Sequence, residues 1–342
     1  MTFGESHGPA VGVVIEGVPP NLALTEKDIQ IELDRRRPGQ SDVSTPRQEK
    51  DQAEILSGIF EGRTLGTPVA ILIRNEGQES GDYKALKDIL RPGHADYTTL
   101  EKYGIRDHRG GGRASGRETA ARVAAGAIAK KILEGHNIKV MAYTIAVGQV
   151  TTDIRDLNAI EKNPVRCPDS SAASKMAEAI HKARDEKDSL GGVIEVLVKG
   201  CPSGLGDPVF DKLQARLGQG LLSIGGVRGI EFGDGFASAR MKGSQHNDAF
   251  EIKGGRILSA TNHCGGIQGG ISNGGDILLR LAVKPTSSIS RKQMTVSTKH
   301  EPSEIAIEGR HDPCLCPRIV PVAEAMVALT LADGLLLQKT LR

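Results

Sequence analysis

The sequence predicts one α+β domain, residues 1–342, built from two similar sheet-and-helix halves at 1–150 and 190–342. Three observations carry that expectation. Short apolar, β-prone runs alternate with helical patterns along the 342 residues, a length that can bury a large core. The later part of the chain echoes the earlier: Val193-Ile194-Glu195 leading to Gly200-Cys201-Pro202-Ser203-Gly204-Leu205 resembles Val14-Ile15-Glu16 leading to Gly17-Val18-Pro19-Pro20-Asn21-Leu22. Glycine is abundant at 42 residues, while aromatics reach only 3% with no Trp. Such a chain is rich in tight turns and close backbone approaches.

The elements follow in order. Val11-Gly12-Val13-Val14-Ile15 reads as a strand closed by the turn Gly17-Val18-Pro19-Pro20. Thr25 caps a helix running to Arg37, with Asp28 at N3 and Ile29 and Leu33 facing inward. Pro38-Gly39 stops that helix and leaves Arg35-Arg36-Arg37 at its C-terminal end. Dipole partnership explains one or two arginines; three, followed by a Ser/Thr-rich loop to Arg47, read as an anion clamp. Residues 55–66 are turn-rich, and 68–73 form a buried strand. Residues 109–127 read RGGGRASGRETAARVAAGA. Ser115 and Glu118 match a capping box, opening a helix with Ala121, Ala124, Ala125, Ile128 and Ile132 on one face. A strand at 140–147 follows, then a charged helical stretch at 153–188 that covers the outside. In the second half, a helix near 210–222 follows its strand as before. Residues 269–283 repeat the turn-rich segment and strand at 55–73, and Arg310-His311-Asp312-Pro313 precedes a helix at 322–337.

The formal net charge is only +2, so no global basic field recruits nucleic acid, and few aromatics are available to stack on bases. Five cysteines at irregular spacing argue for reduced thiols. Cys314 and Cys316 lie beside His311 but lack a second ligand pair, so no metal is expected. No signal peptide and no long apolar run is recognised, and a soluble chain that is not secreted and has no membrane partner is expected.

Positive charge is concentrated in Gly/Pro-framed polar loops at 4–8, 35–47, 91–96, 109–117, 284–288 and 310–312. A glycine loop entering a helix N-terminus presents free N–H groups, and arginines add fixed charge, which together suit a polyanion. In the 91–96 loop, Pro92-Gly93 fixes a turn that projects His94, with Asp96 placed to hold its imidazole. There is no Walker loop, no G-x-G-x-x-G after a strand and no G-x-S-x-G elbow. What remains is a pocket for a small ligand bearing phosphate and carboxylates. Like charges about 4 Å apart repel by roughly 4 kcal/mol at a surface-like dielectric, so the arginines are expected to need ligand anions and their loops to order on binding.

Gly4-Glu5-Ser6-His7-Gly8, Arg35-Arg36-Arg37-Pro38-Gly39, Arg91-Pro92-Gly93-His94-Ala95-Asp96, residues 110–121 and Gly309-Arg310-His311-Asp312-Pro313-Cys314 resemble, in order, the motifs of the chorismate synthase family. The resemblance spans essentially the whole chain, including Ser223-Ile224-Gly225-Gly226 and residues 284–288. It implies a β-α-β sandwich with helices between two antiparallel sheets, and a homotetramer. It also implies a lyase of aromatic amino acid biosynthesis that converts 5-enolpyruvylshikimate 3-phosphate into chorismate and phosphate by anti 1,4-elimination, with reduced FMN (FMNH2) required. Some relatives also reduce the flavin with NADPH. By the resemblance, His7 protonates the departing phosphate and His94 manages the proton on the flavin. Asp312, with Ser6 as relay, helps flavin N5 accept the hydrogen from C6. Arg36, Arg91, Arg117 and Arg310, with Ser115, hold the substrate. Arg36, Arg113, Ala114, Ser115, Gly225, Gly226, Gly269, Lys284, Pro285, Thr286, Ser287, Ser288 and Arg310 hold FMN.

The chain departs from the family pattern in three places. Asp42 stands where many members carry an arginine, with Arg47 as a substitute contact. Ala114 and Gly116 replace Ser and Ala, and the usual leader strand before Phe3 is missing, so a shortened sheet edge is expected. A cytoplasmic or mature plastid location is expected. The alternatives are an Arg/Gly-loop nucleic-acid-binding protein, opposed by low aromatic content and near-neutral charge, and an inactive FMN-binding relative.

Overall fold

The computed structural model describes residues 1–45, 47–76, 87–307, 309 and 311–341. In chain order, β1 (Thr2–Gly4) and β2 (Ala10–Ile15) precede α1 (Glu26–Arg36) and β3 (Ala53–Ser57). The hairpin β4 (Ile59–Phe60)/β5 (Arg63–Thr64) leads to β6 (Val69–Arg74), α2 (Asp96–Tyr103) and α3 (Thr119–Glu134). Next come β7 (Lys139–Val147), β8 (Val150–Thr151), α4 (Ser170–Asp185), β9 (Gly192–Lys199), α5 (Leu213–Leu222), β10 (Val227–Phe232) and the short α6 (Gly243–His246). Hairpins β11 (Phe250–Lys253)/β12 (Arg256–Ser259) and β13 (Ile267–Gln268)/β14 (Ile271–Ser272) precede β15 (Ile277–Val283). Hairpin β16 (Gln293–Val296)/β17 (Pro302–Ile305) and α7 (Cys316–Gln338) complete the chain.

Two antiparallel sheets form, ordered β1-β2-β6-β3 and β8-β7-β9-β15-β10. Leaving out the short β8, both have the same order, with a helix after the corresponding strands: α1 after β2 and α5 after β9, α3 after β6 and α7 after β15. The strand at 139–147 pairs with β9, so the division between sheets falls before residue 139 rather than at 150.

Strand alternation sets the layers. Val69, Ile71 and Ile73 are buried, as are Ile277, Leu279, Leu281 and Val283, a period of two that turns one face of each sheet to the helices. Helix α3 lies on β2 and β6, α7 lies on β7 and β9, and α3 and α7 pack on each other with α1 and α5 alongside. The fold is therefore α+β, with helices between two antiparallel sheets.

The sandwich explains where the helices differ from expectation. Residues Ala120, Ala121 and 123–129 of α3 are all buried, because α3 has a sheet on one side and α7 on the other. The two meet closely: a Cβ on Gly126 would lie 2.3 Å from Ala325 Cβ. Helix α7 has 23 residues and a mean hydropathy of 1.8 over its most apolar window. By length and composition alone it could cross a membrane, which corrects the reading that no long apolar run exists. Here 67% of that window is buried in the core. The 153–188 stretch contains one 3-10 segment (Leu157–Lys162) and α4.

One buried ion network crosses the helical layers. Glu324 of α7 accepts from Arg35 Nη1 (2.5 Å), Lys130 Nζ (2.5 Å) and Ala142 N (2.9 Å). Burial works to raise its pKa, but Lys130 and Arg35 outweigh burial and bring it to about 2. The C-terminal turn of α1, which carries Arg36, is thereby anchored to α7.

Candidate active site

The loop between β1 and β2 carries Ser6 and His7, 3% and 9% exposed. The 109–117 loop closes against it. A Cβ on Gly110 would fall 2.5 Å from His7 Cδ2 and 3.0 Å from Ser6 Oγ, so only glycine permits this approach. Arg91 Nη2 donates to Gly110 O at 3.3 Å, which brings a third loop to the same point. Ser6 Oγ is buried without a hydrogen-bond partner among the described residues.

His94 is held differently from the expected arrangement. Its Nδ1 lies 2.9 Å from Pro92 O and its Nε2 lies 2.7 Å from Ser288 Oγ. A carbonyl only accepts, so the proton sits on Nδ1 and Nε2 accepts from the serine. Asp96 does not hold the imidazole. Its oxygens accept from Arg91 Nε (2.8 Å), Nη2 (2.7 Å) and backbone N (3.1 Å), with Arg106 Nη1 at 3.0 Å, because a bidentate guanidinium satisfies a carboxylate better than one imidazole N–H. Burial, then the nearby Arg91, push the His94 pKa down to about 4. The imidazole is neutral at neutral pH.

The arginines are settled by protein carboxylates, contrary to the expectation that ligand anions are needed. Asp51, with its side chain fully buried, accepts from Arg36 Nη1 at 2.6 Å and from Arg117 Nη1. Burial tends to raise the Asp51 pKa, but Arg36, Arg117 and Arg318 outweigh it and hold the carboxyl below its usual range. Burial is also the first cause that brings Arg36 down to about 10. Arg36 further donates to Thr119 Oγ1 (3.2 Å) and Gly116 O (3.2 Å). Arg47 binds Glu49, and Asp42 lies 3.1 Å from His181 Nε2 on α4.

Ser115 takes the capping role, accepting from Arg117 N at 3.3 Å, but it caps a 3-10 turn (Gly116–Glu118) ahead of α3. Glu118 does not close the capping box. Its carboxylate accepts from Thr2 Oγ1 (2.7 Å) and Arg122 Nε (2.8 Å), the latter a favourable i,i+4 pair.

The residues assigned to flavin form one neighbourhood, with an exception. Lys284 N donates to Gly226 O (2.9 Å), Lys284 Nζ to Gly93 O (3.0 Å) and Ser287 Oγ to Gly93 O (3.0 Å). Gly225 lies beside the Ala114 carbonyl: its would-be Cβ is 3.8 Å from that oxygen, an ordinary van der Waals contact. Arg113 Nη1 donates to Gly4 O at 2.8 Å. Ser189 Oγ donates to Thr286 O at 2.7 Å, while Thr286 Oγ1 is buried and unpartnered among the described residues, and Pro285 packs beside Gly191. Gly269 sits in the β13–β14 turn, away from these contacts. Arg310 lies outside the described residues. Asp312 Oδ1 accepts from Thr45 N (3.0 Å) and Oδ2 from Arg318 Nη1 (2.5 Å), and Arg318 Nε donates to Arg36 O (3.3 Å). No direct Ser6–Asp312 hydrogen bond forms.

Two acidic or amide residues that sequence reading passed over complete the site: Asp51 and Asn75. Asp51 has a left-handed backbone, φ 49°, a conformation unusual for a non-glycine residue and enriched at functional positions. Nothing in its local sequence signals this.

A model described as chorismate synthase matches residues 1–336. The chain belongs to the chorismate synthase family. The chorismate synthase of Methanosarcina mazei is 55% identical over 340 residues, covering 98% of this chain and 93% of that protein. That of Syntrophus aciditrophicus is 56% identical, covering 99% and 95%. A crystal structure of chorismate synthase superposes with a TM-score of 0.80 at 33% identity, covering 99% of this chain and 91% of the other. Membership in the chorismate synthase family makes the chain a lyase that forms chorismate, a step of aromatic amino acid biosynthesis.

Proposed function

We propose that this member of the family carries out the anti 1,4-elimination of phosphate from 5-enolpyruvylshikimate 3-phosphate with reduced FMN bound, as a cytoplasmic or plastid homotetramer. The observation that carries the reading is the convergence of Ser6, His7 and Arg91 on Gly110, with His94 fixed on Ser288 beside Lys284.

The residues present fit a phosphate-bearing flavin. The adjacent Gly225 and Ala114 backbones, the Thr286 Oγ1 that is buried and unpartnered among the described residues, and the Lys284 ammonium offer backbone, hydroxyl and cationic contacts. Bound there, reduced FMN supplies transient electron donation toward the C–O bond to phosphate.

The chain's own residues supply the rest. His7 donates a proton to the phosphate as its C–O bond breaks, so that the leaving group departs less highly charged. Arg36, Arg91, Arg117 and Arg310 hold the substrate's anionic groups. Asp51 and Asp96 already neutralise part of that charge, which keeps the guanidiniums in place without ligand. His94, neutral and oriented by Pro92 O and Ser288 Oγ, would manage the proton on the reduced flavin. Asp312, held by Thr45 and Arg318, serves with Ser6 in removing the C6 hydrogen.

The test is an anaerobic assay with photoreduced FMN and the phosphorylated substrate, following chorismate. Absence of product from folded protein overturns the reading. His7→Ala and His94→Ala are each expected to lower turnover about 10²-fold or more, the usual scale of acid–base catalysis, with unchanged circular dichroism. Near-normal rates remove their assigned roles.

A further inference from the structure

Asn75 follows β6 and belongs to no motif. Its Nδ2 donates to Glu5 O (3.0 Å) and Gly8 O (2.8 Å), the carbonyls on either side of Ser6 and His7. Its Oδ1 accepts from Arg117 Nε at 2.7 Å, and its backbone N donates to Pro9 O at 3.1 Å. Within the turn it grips, Gly8 N donates to Glu5 O at 3.1 Å. That bond sets the shape of the turn but not its place relative to Arg117. Arg117 in turn is locked on Asp51, with Nη2 on Arg74 O at 2.9 Å.

We propose that Asn75 is a positioning residue for the elimination: its carboxamide fixes the turn carrying Ser6 and His7 at a set distance from the Arg117 guanidinium. The proton donor and the anion-holding group are thereby placed as one unit. The inference rests on the roles of His7 and Arg117 given above. The chemistry of the side chain explains the choice of residue. Two N–H donors reach two carbonyls while one oxygen serves a guanidinium, a combination that a carboxylate or an aliphatic side chain of similar size lacks. A displacement of about 1 Å at a reacting group can cost on the order of 10²-fold in rate.

Two substitutions separate the two halves of this contact. Asn75→Asp keeps the acceptor for Arg117 and loses both donors to the turn. It is expected to lower kcat about 10²-fold while KM for 5-enolpyruvylshikimate 3-phosphate changes less than about 3-fold. Asn75→Ala removes both contacts, lowering kcat similarly and raising KM about 10-fold, the scale of one hydrogen bond to a charged group. It also serves should the Asp variant fail to fold. In a His7→Ala background, Asn75→Asp or Asn75→Ala is expected to change kcat by less than about 3-fold, because both act on the same step. Effects that multiply, or a wild-type kcat for the Asn75 variants while His7→Ala is impaired, overturn the role of Asn75 and leave that of His7 standing. A normal rate for His7→Ala removes the assigned role of His7, and this inference with it. A merely structural role would lower the active fraction, measured by flavin and substrate titration, without splitting kcat from KM.

Discussion

Asp51→Asn removes one negative charge from a place where two guanidiniums depend on it. Asp51, Arg36 and Arg117 are 2%, 1% and 5% exposed, so water cannot take over. Breaking a buried ion pair by removing one partner costs about 3–5 kcal/mol, and here one carboxylate serves two cations. A loss of at least about 3 kcal/mol is therefore expected, a large share of a total stability of about 5–15 kcal/mol. Urea unfolding at neutral pH, with the midpoint and slope fitted separately, measures it. Because the variant leaves two uncompensated arginines, inorganic phosphate is expected to restore more stability to it than to the wild type. The sign with pH follows from the depressed Asp51 pKa. The contribution is complete above the ordinary carboxylate value of about 3.9 and is lost as pH falls through the lower folded value. A loss below about 1 kcal/mol with an unchanged slope, and no added response to phosphate, would refute the assignment of Asp51 as the shared counter-ion.

Two other outcomes follow from the site. His94 is lowered to about 4 from its ordinary 6.5, so the unfolded chain takes up that proton first as pH falls. Stability is retained above pH 6.5 and declines between 6.5 and 4. The difference in thermal midpoint between wild type and His94→Gln is expected to change across that window and to be flat above it. Gly110→Ala places a methyl where His7 and Ser6 now sit. Both are side-chain tips that can swing aside, so the melting temperature is expected to hold while kcat falls about 10²-fold; unchanged kcat would show that His7 does not act from this position.

The parts of the fold legible in the sequence were those governed by local rules. The alternating burial of β6 and β15 and the Thr25–Asp28 capping box of α1 follow from periodicity and short-range hydrogen bonding. What failed depends on tertiary partners. Alanines spaced for one face of α3 are buried on every side, because a second helix approaches at Gly126. Asp96 stands two residues from His94 and five from Arg91, and sequence distance favours the wrong partner; bidentate geometry selects the arginine. In the site, the Ser6, His7, Arg91, Gly110 and Lys284 loops were visible as Gly/Pro-framed clusters. Asp51 and Asn75 were not, since each lies in an ordinary polar run beside a strand and its task appears only when distant loops meet. Asp42 faces α4, a direction that its place in the loop does not reveal.

The contact between His94 and Ser288 joins residues 194 apart in the chain, and that between Thr45 and Asp312 joins residues 267 apart. Contacts of such separation form late, after the loop entropy has been met. A ribosome must release nearly the whole polypeptide before this constellation can assemble. These arginines emerge early, and Arg36 and Arg117 meet Asp51, and Arg91 meets Asp96, all within the N-terminal half of the chain. Nascent chains thus carry counter-ions for these arginines before the 284–288 loop and Asp312 have been synthesised, and those later residues join a cationic framework whose charge is already partly neutralised.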